Sequence, residues 1–222
     1  MCGRFAFIPD KTLIKTQYPM DWALDMPPQY NSAPGAKVVF ITYGETGEMM
    51  PLRLQWGLIP FWSKDNKSSR MIINARAETL FEKPAFRQPI QSKRGIMLMS
   101  GFFEWKTQAE GKRPFYVTSK HGEYLSVAAI RDTWQSGDEV VHSCCLITTS
   151  ANSLMRPIHE RMPVLLTSEQ LPLWMDNAHY NPSDLKALLN PYPKSDLMCF
   201  PVTPKMNQSS YTLPDAIERI DL

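Results

Sequence analysis

The chain has 222 residues, enough for one large domain or two small ones with a buried core. A hydrophobic fraction of 43% and a charged fraction of 21% are typical of an ordinary globular protein. The formal net charge of +2 excludes a polycation, so nucleic-acid binding would require a local basic groove.

The first half of the chain predicts one short helix followed by a hairpin. Pro9-Asp10 can open a helix whose apolar face is Thr12–Ile14. A strand is predicted over Lys37–Tyr43 after a turn-rich loop, and a hairpin turn at Gly44–Gly47 joins it to the alternating strand Leu52–Gly57. Three segments follow, which we interpret as an apolar tip (Leu58–Trp62), a polar loop (Ser63–Arg70) and a helical stretch (Phe81–Phe86).

The second half is mostly strands. Ile96–Lys106 is nearly all apolar, which predicts one long strand buried on both faces. Further strands are predicted at Pro114–Thr118, after a polar hairpin loop, and then at Glu123–Ile130, Val140–Thr148 and Asp196–Pro201. Cap signals predict helices after Thr167-Ser168-Glu169 and after Asn181-Pro182-Ser183-Asp184.

Because the strands follow one another without intervening helices, their pairing should be mainly antiparallel. We therefore expect an α+β fold with a mainly antiparallel, barrel-like β core and peripheral helices. No internal repeat or linker divides the chain, so residues 1–222 should form a single domain.

No signal peptide and no apolar run long enough to cross a bilayer are present, so we expect a cytoplasmic protein without membrane contact. Its four cysteines should therefore be reduced and form no disulfide framework. Cys144 and Cys145 are adjacent in a predicted strand, so their side chains should point to opposite faces, as core and surface residues that share no metal. His121, His142 and His179 lack metal-ligand spacing, and we expect neither a metal nor a cofactor.

The N-terminus is a candidate nucleophile. Removal of Met1 is expected because Cys2 is small, and it would leave an α-amine with a pKa near ~7.7–8.0 beside a thiol near ~8.5. Such a 1,2-aminothiol condenses with an aldehyde to an imine, and the thiol then closes a thiazolidine ring. Considered alone, a cysteine at this position is equally consistent with an ordinary frayed terminus.

Four further residues are candidates for a functional role. Glu104 interrupts an apolar strand, where desolvation would raise its pKa and suit it to proton transfer, although a glutamate on a solvent-facing edge is the alternative. His159 lies in the proline-bounded segment Pro157–Pro163, as an acid–base group or a structural histidine. Asn74 and Arg76 share one face of a strand and could orient a polar, phosphate-bearing substrate, or simply be exposed.

Six short segments together include all of these candidate residues. In chain order they are Cys2-Gly3-Arg4-Phe5, Tyr30-Asn31-Ser32-Ala33-Pro34-Gly35, Trp56-Gly57-Leu58-Ile59-Pro60, Ile73-Asn74-Ala75-Arg76-Ala77-Glu78-Thr79, Gly101-Phe102-Phe103-Glu104-Trp105 and His159-Glu160-Arg161-Met162-Pro163. Together they resemble the motifs of the SOS-response-associated peptidase family, the abasic-site processing proteins. One departure is Glu160, where an aspartate is expected.

The resemblance implies a covalent sensor of abasic sites in single-stranded DNA. Cys2 would supply the amine for a Schiff base and then the thiol for a thiazolidine DNA–protein cross-link. Glu104 would shuttle protons, and His159 would assist sugar ring opening and support lyase chemistry. Asn74 would hydrogen-bond the sugar or the Cys2 backbone, and the peptidase label fits autocatalytic release of Met1, which a methionine aminopeptidase could equally perform.

The resemblance also implies a DNA-binding set. Arg4, Arg76 and Arg161 would hold phosphates. Pro34 and Trp62 would wedge against the bases that flank the lesion, with Asn31 in the same group. The expected partner is single-stranded DNA that contains abasic sites, bound by a monomer, with nucleoid association in a bacterium.

The sequence is also compatible with two other classes of function. An N-terminal-nucleophile amidohydrolase would use the Cys2 amine as base and its thiol as nucleophile, with Asn74 as an oxyanion donor. A non-enzymatic single-strand binding module would account for the basic and aromatic residues, but not for a reactive terminus near a buried carboxyl.

Overall fold

Two β-sheets organise the chain in a computed structural model that describes residues 2–66 and 71–221. Met1, the Lys67–Arg70 part of the predicted polar loop and Leu222 lie outside the described residues. The strands are β1 (Arg4–Phe7), β2 (Gln29–Ser32), β3 (Lys37–Tyr43), β4 (Met49–Trp56), β5 (Asn74–Arg76), β6 (Arg94–Met99), β7 (Gly101–Gln108), β8 (Gly111–Ser119), β9 (Leu125–Ser136), β10 (Glu139–Ser150), β11 (Arg161–Pro163), β12 (Leu165–Leu166) and β13 (Leu197–Pro201). The α-helices are α1 (Lys11–Gln17), α2 (Pro89–Ser92), α3 (Leu171–Met175) and α4 (Pro182–Leu188).

The larger sheet closes into a five-stranded barrel. Its strands follow the order β10-β4-β3-β6-β9, and β9 pairs back with β10. Most ladders are antiparallel, while β10 runs parallel to both β4 and β5. The predicted α+β class with a barrel-like, mainly antiparallel core is confirmed.

The smaller sheet, in the order β13-β8-β7-β1-β2, is covered on both faces. Along β1, Phe5 and Phe7 belong to the main core, and Phe5 packs edge-on against Trp56 of the barrel with ring centroids 5.2 Å apart. The intervening Ala6 points the other way, into a second cluster with Phe103 and residues from 200–217, here called the C-terminal segment. This alternation explains why β1 is apolar at every position after Arg4.

The prediction of one strand over Ile96–Lys106 is wrong. The chain turns a corner at Ser100, so that β6 lies in the barrel and β7 in the smaller sheet. The Ser100 amide donates to the Ala6 carbonyl at 2.8 Å, and its hydroxyl accepts from the Ile8 amide at 2.9 Å. Gly101 is needed here because a Cβ would lie 2.5 Å from the Tyr116 hydroxyl. A continuous apolar run does not reveal such a corner, since both halves are buried.

The predicted helix at Phe81–Phe86 is also wrong. This stretch is a series of turns around Pro84, and α2 begins only at Pro89, where proline is compatible with the first helical turn. The capping predictions are confirmed for α1, where the Asp10 carboxylate accepts from two backbone amides. They are confirmed as well for the capping box at Thr167 and for Asn181.

Cys144 and Cys145 are both fully buried, which corrects the expectation that one of them lies at the surface. Both faces of β10 are covered between residues 143 and 149, so opposite orientations lead to burial in either direction. No helix in the described part of the chain combines the length and apolarity needed to cross a membrane.

Candidate active site

Cys2 sits in the core directly before β1. Its side chain is fully buried, and its Sγ donates to the Arg4 carbonyl at 3.8 Å. Burial, and next the charge of nearby Glu104, raise the pKa of the thiol well above its ordinary value. The thiol is therefore protonated at neutral pH, contrary to the expectation that it titrates near its unperturbed value.

Asn74 fixes the backbone of Cys2. Its Nδ2 donates to the Cys2 carbonyl at 3.0 Å, one of the two hydrogen bonds anticipated for it. Its Oδ1 is buried and has no hydrogen-bond partner among the described residues. β5 places Asn74 on the barrel sheet, so this contact joins the barrel to the N-terminus in the smaller sheet.

Glu104 lies on β7, next to β1, and is 3% exposed, so its expected burial is confirmed. Desolvation raises the pKa of its carboxyl, and His159 acts in the opposite direction. A carboxyl with a raised pKa can release and accept a proton closer to neutral pH than an exposed glutamate.

His159 is held in one orientation by the start of β11. Its Nδ1 accepts a hydrogen bond from the Arg161 amide at 2.9 Å, and its own amide donates to the Met155 carbonyl at 2.9 Å. Because Nδ1 is an acceptor, the neutral imidazole carries its proton on Nε2. The proton that this tautomer could donate is therefore the one on Nε2.

Glu104 and His159 open into a cleft of about 570 Å³ at the junction of the two sheets. The cleft is lined by Gly3, Arg4, Glu104, Trp105, Thr107, Lys112, His159 and Asn207. Of these, the sequence singled out Arg4, Glu104 and His159. Trp105 occurred inside a recognised motif and Lys112 inside a polar hairpin loop, whereas Asn207 gave no signal because it enters the cleft from a distant segment.

Arg4 and Asn31 act as a pair. The Arg4 Nη1 donates to the Asn31 Oδ1 at 3.1 Å, and the guanidinium lies 5.5 Å from the centre of the Trp105 ring. Asn31 is 6% exposed and donates through Nδ2 to the Tyr211 carbonyl at 2.7 Å. Asn31 therefore orients the Arg4 guanidinium and connects it to the segment around Tyr211.

The two other arginines differ in their surroundings. Arg161 forms a two-pronged ion pair with Glu78, with Nη2 to Oε2 at 3.0 Å, and Nη2 also donates to the Thr148 carbonyl at 2.6 Å. Its side chain is only 14% exposed, so the predicted phosphate contact competes with an existing carboxylate. Arg76 is exposed at the end of β5. The motifs assign Glu78 no role, although it lies in the same motif as Arg76.

Pro34 and Trp62 are both exposed, Trp62 to 54%. Neither belongs to the cleft lining formed by the described residues. The Trp62 loop is nonetheless fixed, because the Phe61 amide donates to the Asp132 Oδ2 at 2.9 Å. No group of three or more histidine, cysteine, aspartate or glutamate residues within 2–66 and 71–221 is arranged to hold a metal ion.

The site thus combines a buried cysteine at position 2 with a desolvated carboxyl and an oriented imidazole. The chain belongs to the SOS response associated peptidase (SRAP) family, whose model matches residues 1–209. It is 36% identical to the abasic site processing protein YoqW of Bacillus subtilis over 98% of this chain and 99% of that protein. It is 26% identical to the abasic site processing protein HMCES of Gallus gallus, over 80% and 60% of the two chains.

Among solved structures, the fold resembles that of a protein from Bacteroides thetaiotaomicron. The TM-score is 0.86 and the sequence identity is 27%, with 99% of this chain and 100% of the other covered. The similarity extends over the whole described architecture, including the strands that carry the site.

Proposed function

We propose that this protein recognises abasic sites in single-stranded DNA and traps them covalently through Cys2. The observation that carries the proposal is the meeting of Glu104 and His159 at one cleft beside Cys2, whose carbonyl Asn74 holds at 3.0 Å. The relatives named as abasic site processing proteins support the same substrate.

The reaction requires that Met1 be removed, so that the Cys2 nitrogen becomes an amine. The ring-opened abasic sugar presents an aldehyde at C1′, which the amine attacks to give an imine with loss of water. The sulfur then adds to the imine carbon, its proton passes to the nitrogen, and a thiazolidine results. No oxidant and no metal are consumed.

Glu104 supplies the proton transfers that this sequence needs. Because the buried thiol is protonated, a base must remove its proton before sulfur can attack. Glu104 is close enough that its charge raises the pKa of that thiol. His159, with its proton on Nε2, is suited to help open the sugar ring and to support strand cleavage at the imine, which would be a lyase activity.

We assign DNA binding to contacts with the phosphate backbone of the DNA and to stacking on its bases. Arg4 lines the cleft and Arg76 is exposed at the end of β5, so both can meet phosphates. Pro34 and Trp62 would pack against flanking bases and favour single strands over paired duplex. We expect a monomer that works in the cytoplasm, at the nucleoid when bound to DNA.

The decisive experiment separates the amine from the thiol. Cys2→Ala keeps an amine, so it should form an imine that borohydride traps, but no stable adduct. A form with an N-terminal tag keeps the thiol but replaces the amine with an amide, and it should form neither. Adduct yield on an abasic single strand is measured on denaturing gels with and without borohydride. A stable adduct from the tagged form would overturn the mechanism.

Release of Met1 by the protein's own site is a second part of the proposal. The Cys2 thiol would attack the carbonyl of residue 1, and water would then release it as free methionine. Synthesis in a translation system without aminopeptidase, followed by mass measurement of the N-terminus, tests this. Unprocessed wild-type chain in that system would assign the step to an aminopeptidase.

A further inference from the structure

The cleft is larger than the reacting sugar requires. Its volume of about 570 Å³ falls within the range of roughly 300–1,000 Å³ that holds a drug-sized ligand. An abasic sugar contributes only five carbons beside Glu104 and His159. The remaining space lies against the hairpin formed by β7 and β8, which contributes Trp105, Thr107 and Lys112 to the lining.

These three side chains share one face of the hairpin. Trp105 and Thr107 are two residues apart on β7, and Thr107 pairs directly with Lys112 on β8. Because side chains alternate along a strand and cross-strand partners share a face, an aromatic ring, a hydroxyl and an ammonium are presented together. Lys106 and its partner Arg113 point to the opposite face.

The C-terminal segment holds this face in place. Asn207 accepts from the Trp105 Nε1 at 2.8 Å and donates through Nδ2 to the Lys112 carbonyl at 3.1 Å. The Arg4 guanidinium lies over the Trp105 ring. Lys112 is exposed, and its ammonium has no ion-pair partner among residues 2–66 and 71–221.

We propose that this hairpin face is a subsite for the nucleotide that adjoins the lesion on one side. Its base would pack against the Trp105–Arg4 pair, and its phosphate would pair with Lys112. An aromatic surface next to a cation is the combination by which proteins hold single-stranded nucleotides without reading their sequence. This inference rests on the proposed function and adds to it a side-specific requirement for a neighbouring nucleotide.

The test uses short abasic oligonucleotides that carry a nucleotide only on the 5′ side, only on the 3′ side, or on both. Lys112→Ala should slow adduct formation about 5- to 10-fold for substrates with the flank that the subsite binds. It should leave the substrate without that flank unchanged. Lys120→Ala, which removes a charge from the exposed turn after β8, at the other end of that strand from Lys112, is the matched control and should change all three rates by less than about two-fold.

Equal losses with the 5′-only and the 3′-only substrates, or a Lys112→Ala variant that behaves like Lys120→Ala, would overturn the subsite. Binding is measured in parallel with oligonucleotides that carry an unreactive tetrahydrofuran in place of the abasic sugar. The same flank dependence should appear there as an affinity difference. If the wild-type protein forms no adduct with any substrate, the proposed function fails, while the binding series still decides the subsite.

Discussion

Glu104 shows how a single buried carboxyl makes the stability of a protein depend on pH. Desolvation raises its pKa, so the native state holds this proton more tightly than the unfolded chain does. The native state is therefore destabilised by this group as the pH rises from the ordinary carboxyl pKa through the raised native value. If Glu104 transfers protons as proposed, the same ionisation that makes it a base also lowers the stability of the fold.

We predict that Glu104→Gln raises the thermal unfolding midpoint at neutral pH and slows adduct formation by roughly 10²–10⁴-fold. The stabilisation should disappear at acidic pH, where wild-type Glu104 is protonated in both states. Unfolding curves and adduct rates across the pH range measure both effects. Glu110→Gln, at the exposed turn of the same hairpin, is the control and should change neither. A stability difference that grows toward acidic pH would contradict this assignment.

Glu78 is a positioning residue two steps from the chemistry. It clamps the Arg161 side chain, and the Arg161 amide holds the Nδ1 of His159 at 2.9 Å. The carboxylate is about half exposed, so the ion pair itself should contribute no more than about 1 kcal/mol. Its importance would lie in orientation rather than in stability.

We therefore predict that Glu78→Gln slows adduct formation several-fold in the wild-type protein but has no effect once His159 has been replaced by alanine. Such non-additivity is expected of residues that act through one another. Adduct rates of the two single variants and the double variant complete the cycle, with Glu82→Gln as an exposed control. Additive losses would mean that Glu78 acts by a route independent of His159, such as the local field at the DNA.

At the scale of elements, the loop that carries Trp62 is fixed to the barrel at several points. The Asp132 carboxylate on β9 accepts from the Phe61 amide and from the Lys93 ammonium, the latter at 2.6 Å. Trp134 donates through Nε1 to the Ser63 carbonyl at 2.8 Å. An exposed aromatic on an anchored loop loses less conformational freedom on binding than one on a mobile loop.

We predict that Asp132→Ala weakens binding of single-stranded DNA and that the loss is not additive with Trp62→Ala. Trp62→Ala alone should cost about 1–3 kcal/mol of binding if the indole stacks on a base. Fluorescence anisotropy with an unreactive abasic analogue measures this, and Asp138→Ala, exposed in the turn after the same strand, is the control. Full affinity in Asp132→Ala would show that the anchor has no part in DNA binding.

The elements also show what the sequence alone could predict. The strand predicted over Lys37–Tyr43 has the observed bounds of β3, and cap residues located α1 and α4. The corner at Ser100 was not predicted, because β6 and β7 are both buried and apolar and their sequences read as one continuous strand. In the site, motifs singled out the candidate residues, but Glu78 and Asn207 contact residues that lie 83 and 102 positions away, which no local pattern encodes.

At the scale of the whole molecule, the site is assembled from both sheets. Cys2 and Glu104 belong to the smaller sheet, since β1 pairs with β7, whereas Asn74 and His159 come from the ends of β5 and β11 in the barrel sheet. The geometry of the reaction therefore depends on how firmly the two sheets are joined. Residues that fix peripheral helices to the barrel should affect stability without affecting this junction.

Arg94, the first residue of β6, is such a residue. It is fully buried, and its guanidinium donates to five backbone carbonyls, those of Ile90, Gln91, Trp174, Asp176 and His179. These groups lie near the C-terminal ends of α2 and α3, where helix carbonyls lack intrahelical partners. A positive charge is favourable at both helix ends, which explains how burial of this arginine is tolerated.

We predict that Arg94→Met destabilises the protein by at least about 3 kcal/mol, because several buried carbonyls lose their donor at about 1–3 kcal/mol each. Arg94→Lys should recover only part of this, since an ammonium has three donors and cannot span both helix ends. Urea unfolding measures the loss, with Arg53→Met on the exposed side of β4 as the control. The adduct rate per folded molecule should stay unchanged, because Arg94 does not line the cleft. If the free energy of unfolding of Arg94→Met lies within about 1 kcal/mol of wild type, water replaces the guanidinium at these carbonyls. If folded Arg94→Met forms the adduct more slowly than wild type, the helices and the junction of the two sheets are mechanically coupled.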